Sequence, residues 1–276
     1  MMTQVQLTAL QMSSRPDPQD NLTTVAKLLE RLPAARPQLV VLPEAFCCFG
    51  AGDRAQLDMA ETYQDGEIQR QLASLARAHG IYLVAGTIPI AAGERFSAAS
   101  LLFGPDGSIV NRYDKIHLFD VDVADNTKKY RESKWTKPGT EVVTAATDLG
   151  VVGMSVCYDL RFPELFRALR QAGSDIIVLP SGFTQVTGKA HWHALVRARA
   201  IEQQVFIVAP NQVGQHDNGR ETYGHSIIVS PWGEVLVEQE QGEGIISASV
   251  DLADVESIRK QMPVAQQNQF EVVQKT

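Results

Sequence analysis

Val151-Val152-Gly153-Met154-Ser155-Val156-Cys157, followed by Phe162-Pro163-Glu164-Leu165-Phe166-Arg167-Ala168-Leu169, is a strand that turns into a helix. The first stretch is an apolar run of the length a buried strand needs. The second carries a helical pattern. A buried strand passing into a helix is the repeating unit of open α/β sheets, which hold their chemistry at the carboxyl ends of the strands. Cys157 stands at that end. Backbone N–H groups converge there, and a following helix N-terminus favours a thiolate. Free cysteine is also among the most buried residue types, so position alone leaves a packing role open.

The same alternation extends in both directions. Upstream, Val5–Met12 reads as a strand and Pro16 and Pro18 break it. Asn21–Leu32 is an amphipathic helix with Leu22, Val25, Leu28, Leu29 and Leu32 on one face. Leu39–Leu42 is a short buried strand ending at Pro43-Glu44, and Glu67–His79 is a helix closed by Gly80. Ile81–Ile88 is a strand. Ala98–Phe103 and Ser108–Tyr113 pair around the turn Gly104-Pro105-Asp106-Gly107. Asp120–Gly139 is polar and irregular and reads as a long functional loop.

Downstream of Val142–Ala146, the pattern continues through a strand at Asp175–Pro180, a helix over Ala190–Gln204 and a strand at Val205–Pro210. Gly224–Ser230, Glu234–Glu238 and Gly244–Val250 suggest an antiparallel run, followed by a short helix over Leu252–Gln261. No composition break or low-complexity segment divides the chain. The expected fold is one α/β domain of two mixed sheets packed face to face with helices outside, over residues 1–263. Residues 264–276 have no clear period and are expected to form a C-terminal tail, mobile or packed on a partner subunit.

Bulk composition narrows the partners. The chain has 276 residues, 44% hydrophobic and 21% charged, enough for a sizeable core. A formal charge of −7 disfavours nucleic acid, whose binders more often show a net basic face. Three cysteines, Cys47, Cys48 and Cys157, make no disulfide framework and fit a reducing cytoplasm. The start, Met1-Met2-Thr3-Gln4-Val5-Gln6-Leu7, shows no basic segment followed by a long apolar one, so no secretory signal is expected. No apolar run approaches the ~18 residues that suggest a membrane span.

Two further charged residues sit like Cys157, just past strand-like runs. Glu44 follows Leu39–Leu42, and Lys115 follows Ser108–Tyr113. Each alone reads more simply as a solvated strand-end charge. If the strand ends share one side of a sheet, a carboxylate, an ammonium and a thiol meet in one pocket, and the carboxylate can act as a general base.

These residues carry a resemblance. Leu42-Pro43-Glu44, Tyr113-Asp114-Lys115-Ile116-His117-Leu118-Phe119-Asp120 and Cys157-Tyr158-Asp159-Leu160-Arg161-Phe162-Pro163-Glu164 resemble the signature blocks of the nitrilase superfamily of carbon–nitrogen hydrolases in order and spacing. The resemblance covers nearly the whole chain. It implies a four-layer α-β-β-α sandwich that pairs through its helical faces. It also implies Glu44, Lys115 and Cys157 as a catalytic triad, with Glu132 as a second active-site glutamate in the long loop. Covalent catalysis would split amide hydrolysis into thioester formation and thioester hydrolysis. Lys115 would favour the thiolate by its charge. Lys115 and the Tyr158 N–H would face the oxyanion.

Further stretches, Pro180–Thr184, Thr187–His193, Arg197–Glu202 and Tyr223–Ser226, resemble the deaminated-glutathione amidase branch, with Lys189 and His193 departing from its usual residues. That branch implies hydrolysis of deaminated glutathione to α-ketoglutarate and cysteinylglycine. The neighbouring branch implies ω-amidase action on α-ketoglutaramate. A catalytically silent binding protein of the same fold is the reading from another class. Arg161 can grip a substrate carboxylate bidentately or pair with Asp159 or Glu164. Phe183 and Thr184 can line the pocket, and Phe183 can equally belong to the core. His191 and His193 lie two apart on a predicted helix and point about 200° apart, so they do not chelate one ion together. No metal and no cofactor is expected. Cys47 and Cys48 read as packing residues near the pocket. The expected partners are a small-molecule amide and a second copy of the chain.

Overall fold

Two mixed β-sheets lie face to face in the computed structural model, which describes residues 4–52, 54–125 and 127–273. The first has seven strands. Gln4–Gln11 pairs in parallel with Gln38–Val41, which pairs in parallel with Tyr82–Val84. The long strand Arg95–Phe103 then shares one edge between Tyr82–Val84 and Ile88–Ala92 and gives the other to Ile109–Asp114. The second sheet has six strands, with Gly150–Met154, Ile176–Val178 and Phe206–Ala209 running parallel at its centre. Thr144–Thr147, Ser226–Val229 and Val235–Gln239 complete it with antiparallel pairings.

Strand periodicity builds the layers. Side chains alternate across a strand, so Leu7, Ala9, Leu39, Val41 and Val84 face the second sheet and join Val152, Met154, Ile177 and Val208 in one core. Leu10, Val40 and Leu83 face the other way. They bury the apolar stripes of the helices Pro18–Leu29 and Glu67–His79 through Leu22, Val25, Leu29, Leu72 and Ala76. Leu165, Phe166 and Leu169 of helix Pro163–Gln171, with Trp192, Val196 and Ala200 of helix Gln185–Gln203, cover the second sheet. The four-layer α-β-β-α order expected from the sequence is present.

Several boundaries differ, each for a local reason. The first helix spans Pro18–Leu29 and not 21–32, because Asp17 caps it and proline is tolerated at a first helical position. The expected strand Ile81–Ile88 breaks into Tyr82–Val84 and Ile88–Ala92. Gly86 turns the chain at a φ of +55°, and a Cβ there would lie 2.0 Å from the Pro43 carbonyl oxygen. The polar stretch 120–139 is not structureless. It contains the hairpin Asp120–Asp122 with Lys129–Arg131, then a 3₁₀ turn over Glu132–Lys134. The helix predicted from Ala190 begins at Gln185, capped by Thr184, and Gly188 inside it leaves room for the Tyr223 ring.

Gly244–Asp251 does not continue the antiparallel run. It crosses to the first sheet and pairs along all of Gln4–Gln11, tying the chain's two ends together. Beyond helix Ala253–Gln261, the segment expected as a tail opens with a short helix Val264–Gln267, and Phe270 and Val273 after it are about 80% exposed. Residues 1–3 and 274–276 lie outside the described residues. Among the described residues, no helix is long and apolar enough to cross a membrane.

One consequence matters for the site. Gln38–Val41 and Tyr82–Val84 are parallel, and two successive antiparallel pairings make Ile109–Asp114 run the same way. The ends of Gln38–Val41 and Ile109–Asp114, and of Gly150–Met154 and Ile176–Val178 in the second sheet, open onto one cavity.

Candidate active site

Glu44 leaves Gln38–Val41 through Leu42-Pro43. Its neighbour Ala45 adopts a φ of +52° and donates its N–H to Thr87 Oγ1 at 2.8 Å. Gln212 Nε2 donates to the Glu44 carbonyl at 3.0 Å. Lys115 leaves Ile109–Asp114, and its backbone is held by Ala98 and Gly139. The Lys115 side chain is 2% exposed, and its Nζ donates to Glu44 Oε1 at 2.7 Å and to Glu132 Oε2 at 2.8 Å. Glu132, in the 3₁₀ turn, also accepts the Phe119 N–H at 2.6 Å.

Cys157 sits at a φ of +46°, a left-handed conformation that is uncommon for a non-glycine residue. Its N–H donates to the Pro180 carbonyl at 2.9 Å. Backbone strain of this kind clusters at functional sites. The elbow is braced by Asp159, fully buried, which accepts the Val156 N–H at 2.8 Å, the Tyr113 hydroxyl at 2.7 Å, the His117 N–H at 3.1 Å and contacts His117 Nδ1 at 2.6 Å. Asp159 therefore joins the cysteine turn to the segment carrying Lys115.

The expectation of a thiolate favoured by a helix N-terminus is corrected here. Cys157 opens a five-residue 3₁₀ turn, and the α-helix begins only at Pro163. Burial pushes the Cys157 thiol well above the ordinary cysteine range and the Glu44 carboxylate pushes it further. Lys115 and the Gly182 backbone pull in the opposite direction without overcoming this. Burial and the neighbouring Glu44 carboxylate thus favour the protonated thiol.

For Lys115, burial works against the ammonium, but the charges of Glu132 and Glu44 raise its pKa overall. It stays a cation and a donor, and does not serve as a base. Burial raises the Glu132 pKa against the opposing pull of Lys115.

Above this floor is a cavity of about 410 Å³, within the size range of small-molecule sites. Glu44, Lys115, Glu132 and Cys157 all line it, as do Tyr158, Arg161, Phe183 and Thr184. Thr184 does two jobs, since its Oγ1 also accepts the Thr187 N–H at the helix start. Phe183 is buried and packs on Trp192 at 4.8 Å, so its core and lining roles coexist. Arg161 pairs with neither Asp159 nor Glu164. Its guanidinium lies 5.9 Å from the Tyr158 ring and 5.6 Å from the Phe183 ring, and contacts His191 Nδ1 at 3.3 Å. Cys48 borders the cavity, whereas Cys47 packs in the core and its thiol is pushed up by burial.

Two contributors were missed in the sequence. Gly182 hydrogen-bonds Cys157 through its backbone, and a Cβ there would lie 3.3 Å from Glu44 Oε2. Arg220 donates Nη2 to the Gly182 carbonyl at 3.0 Å and lies over the rings of Phe49 and Tyr130. Its buried Nε has no hydrogen-bond partner. The hairpin that brings Arg220 in, Val213–Gln215 with Glu221–Tyr223, lies far in sequence from the three signature blocks, and Arg220 stands just outside the Tyr223–Ser226 stretch.

The arrangement therefore joins a buried thiol, a carboxylate within its reach, a fixed ammonium and guanidinium groups on the wall. Residues 6–260 match the family described as carbon–nitrogen hydrolase. This chain belongs to that family. A deaminated glutathione amidase of Yersinia enterocolitica is 40% identical over 264 residues, covering 95% of this chain and 92% of the relative. An omega-amidase NIT2 of Xenopus tropicalis is 34% identical over 273 residues, covering 98% and 97%. Among solved structures, Nit3 of Saccharomyces cerevisiae, described as a member of branch 10 of the nitrilase superfamily, matches with a TM-score of 0.86 at 32% identity, covering 97% of each chain. The NitFhit protein of C. elegans matches with a TM-score of 0.89 at 34% identity. The match covers 97% of this chain but only 65% of that longer protein. The hydrolase family thus accounts for nearly the whole chain.

Proposed function

We propose that this carbon–nitrogen hydrolase cleaves deaminated glutathione to α-ketoglutarate and cysteinylglycine through a thioester on Cys157. The observation that carries the reading is Lys115 Nζ held between Glu44 and Glu132 beside the Cys157 thiol. The Arg161 and Arg220 guanidiniums on the cavity wall suit an anionic substrate.

As Cys157 Sγ attacks the amide carbon, Glu44 takes the thiol proton. The carbonyl oxygen becomes an oxyanion facing Lys115 Nζ and the Tyr158 N–H. Glu44 passes the proton to the amide nitrogen, the C–N bond breaks and cysteinylglycine leaves as the amine. Water then enters, Glu44 removes its proton, and the hydroxide adds to the thioester. The C–S bond breaks, α-ketoglutarate departs, and the proton returns to sulfur. Glu132 holds Lys115 in place throughout. A raised thiol pKa fits this sequence, because the proton moves as the S–C bond forms.

Two further readings go with this one. A homodimer is supported by Val186 and Ile201 on helix Gln185–Gln203, both over 40% exposed, and by the exposed Phe270 and Val273 as a second apolar contact for the partner. A cytoplasmic setting is supported by three free cysteines.

The test is a side-by-side measurement of kcat/KM on deaminated glutathione, α-ketoglutaramate and simple aliphatic amides. Preference for the first supports the proposal. Preference for the second assigns an ω-amidase, supported by the relative of that name. No preference for either keto acid overturns the substrate assignment while leaving the thiol chemistry standing.

A further inference from the structure

His193, His225 and Glu238 come from three separate elements and meet at one point. His193 lies on helix Gln185–Gln203, His225 precedes strand Ser226–Val229, and Glu238 is on Val235–Gln239 opposite Ile227. His193 Nε2 lies 2.8 Å from Glu238 Oε1, and His225 Nδ1 lies 2.5 Å from the same oxygen. The two imidazoles approach edge to face at 5.2 Å. One ligand atom from each residue falls within 4.8 Å of the other two. None of the three lines the catalytic cavity, so the cluster is outside the amidase site.

We propose that these three side chains form a site for one divalent transition-metal cation of the zinc class. Two imidazoles and a carboxylate are a zinc donor set that leaves a fourth position open. Ligand atoms around a tetrahedral zinc at 2.0–2.2 Å lie about 3.3 Å apart. The two nitrogen–oxygen separations need to open by less than an ångström to reach that spacing.

The frame is already rigid. His225 has a φ of +56°, its N–H donates to the Glu240 carbonyl, and its own carbonyl accepts Trp192 Nε1 at 2.8 Å. The Tyr223 ring stacks on the imidazole at 4.1 Å. A ring fixed on one side and a strand-borne carboxylate opposite give the preorganisation that metal affinity needs. In the single chain the side chains are 16–37% exposed. His191 is not part of the set. Its ring meets Arg161 on another face of the helix, as their two-residue spacing dictates.

The experiment titrates chelator-stripped full-length protein with Zn²⁺ against a chromophoric chelator, and with Co²⁺ monitored by its visible absorption. The Cys157→Ser variant is run in parallel, because the catalytic thiol is a separate soft ligand. The proposal expects one equivalent per chain in both proteins. Glu238→Gln and His193→Gln, which keep hydrogen-bonding capacity and are checked for native circular dichroism, should each weaken binding by at least about tenfold, the lower end of what losing even a supporting group costs. His191→Ala should bind as the parent does. No saturable binding, binding that vanishes in Cys157→Ser, or binding untouched by Glu238→Gln would each overturn the proposal and leave a hydrogen-bonded His–Glu–His cluster. None of these readouts depends on amide turnover, so the substrate assignment stands or falls separately.

Discussion

The floor and the wall of the cavity are built in different ways. The floor residues Glu44, Lys115 and Cys157 stand at strand ends; backbone hydrogen bonds hold Lys115 and Cys157, and the Gln212 side chain holds the Glu44 carbonyl. The wall residues Arg161 and Arg220 are held by aromatic faces and single side-chain contacts. A floor built this way fixes reacting atoms, while a wall built this way tolerates change. On the proposed mechanism, the difference places the chemistry at the sheet ends and the specificity in the connecting turns and loops.

The largest expected effects break the floor. Cys157→Ala should lower kcat/KM by at least about 10⁴-fold, as nucleophile removal does elsewhere, while the circular dichroism spectrum stays native. Residual turnover near the parent's would mean the floor is not where the reaction happens.

Lys115→Met removes the cation between two part-buried carboxylates. Losing an oxyanion donor costs about 10²–10³ in kcat. Stability should also fall, by about 1–3 kcal/mol, because two part-buried carboxylates are left facing each other without their cation. Chemical denaturation and single-turnover kinetics separate the two losses, and a fall in KM alone would contradict the role given to Lys115.

The wall should respond more gently and in a different parameter. Arg220→Met and Arg161→Met each remove a charged hydrogen-bond donor worth about 1.5–3 kcal/mol. On an α-keto acid substrate KM should rise about 10–100-fold with kcat little changed, and on a neutral aliphatic amide KM should barely move. An equal loss on both substrates would place these residues among the structural supports.

The smallest effect sharpens the electrostatics. The Cys157 pKa is raised by burial first and then by Glu44, and lowered by Lys115. A raised thiol pKa means the proton stays on sulfur at neutral pH and leaves only above the ordinary cysteine range. Thiolate absorbance, taken as parent minus Cys157→Ala, should show no step through neutral pH. Glu44→Gln should move the step down and Lys115→Met should move it up. A thiolate already formed at neutral pH would contradict the proton-transfer order.

The same contrast explains how much was legible in the sequence. Glu44 and Cys157 could be placed at sheet ends because each follows an apolar run, whereas Lys115 follows a largely polar strand and the grouping of the three rested on the resemblance of the signature blocks. The sandwich followed from alternating strand and helix patterns. Arg220 could not be found, because its position depends on a short hairpin packing across the cavity, and nothing local in Gly219-Arg220-Glu221 encodes that. The crossing of Gly244–Asp251 into the first sheet was hidden for the same reason. Its own pattern says strand, and only the eight-residue register with Gln4–Gln11 says which sheet. The helix end expected next to Cys157 begins six residues later, because a 3₁₀ turn over Cys157–Arg161 intervenes, and burial and Glu44 act on the thiol instead.

The most direct test of the central claim is intact-protein mass spectrometry after rapid acid quench during turnover of deaminated glutathione. The account predicts a mass increase equal to the α-ketoglutaryl acyl group, mapped to Cys157 and absent from Cys157→Ala. Turnover with no acyl adduct at any quench time, or an adduct on a residue other than Cys157, would contradict it.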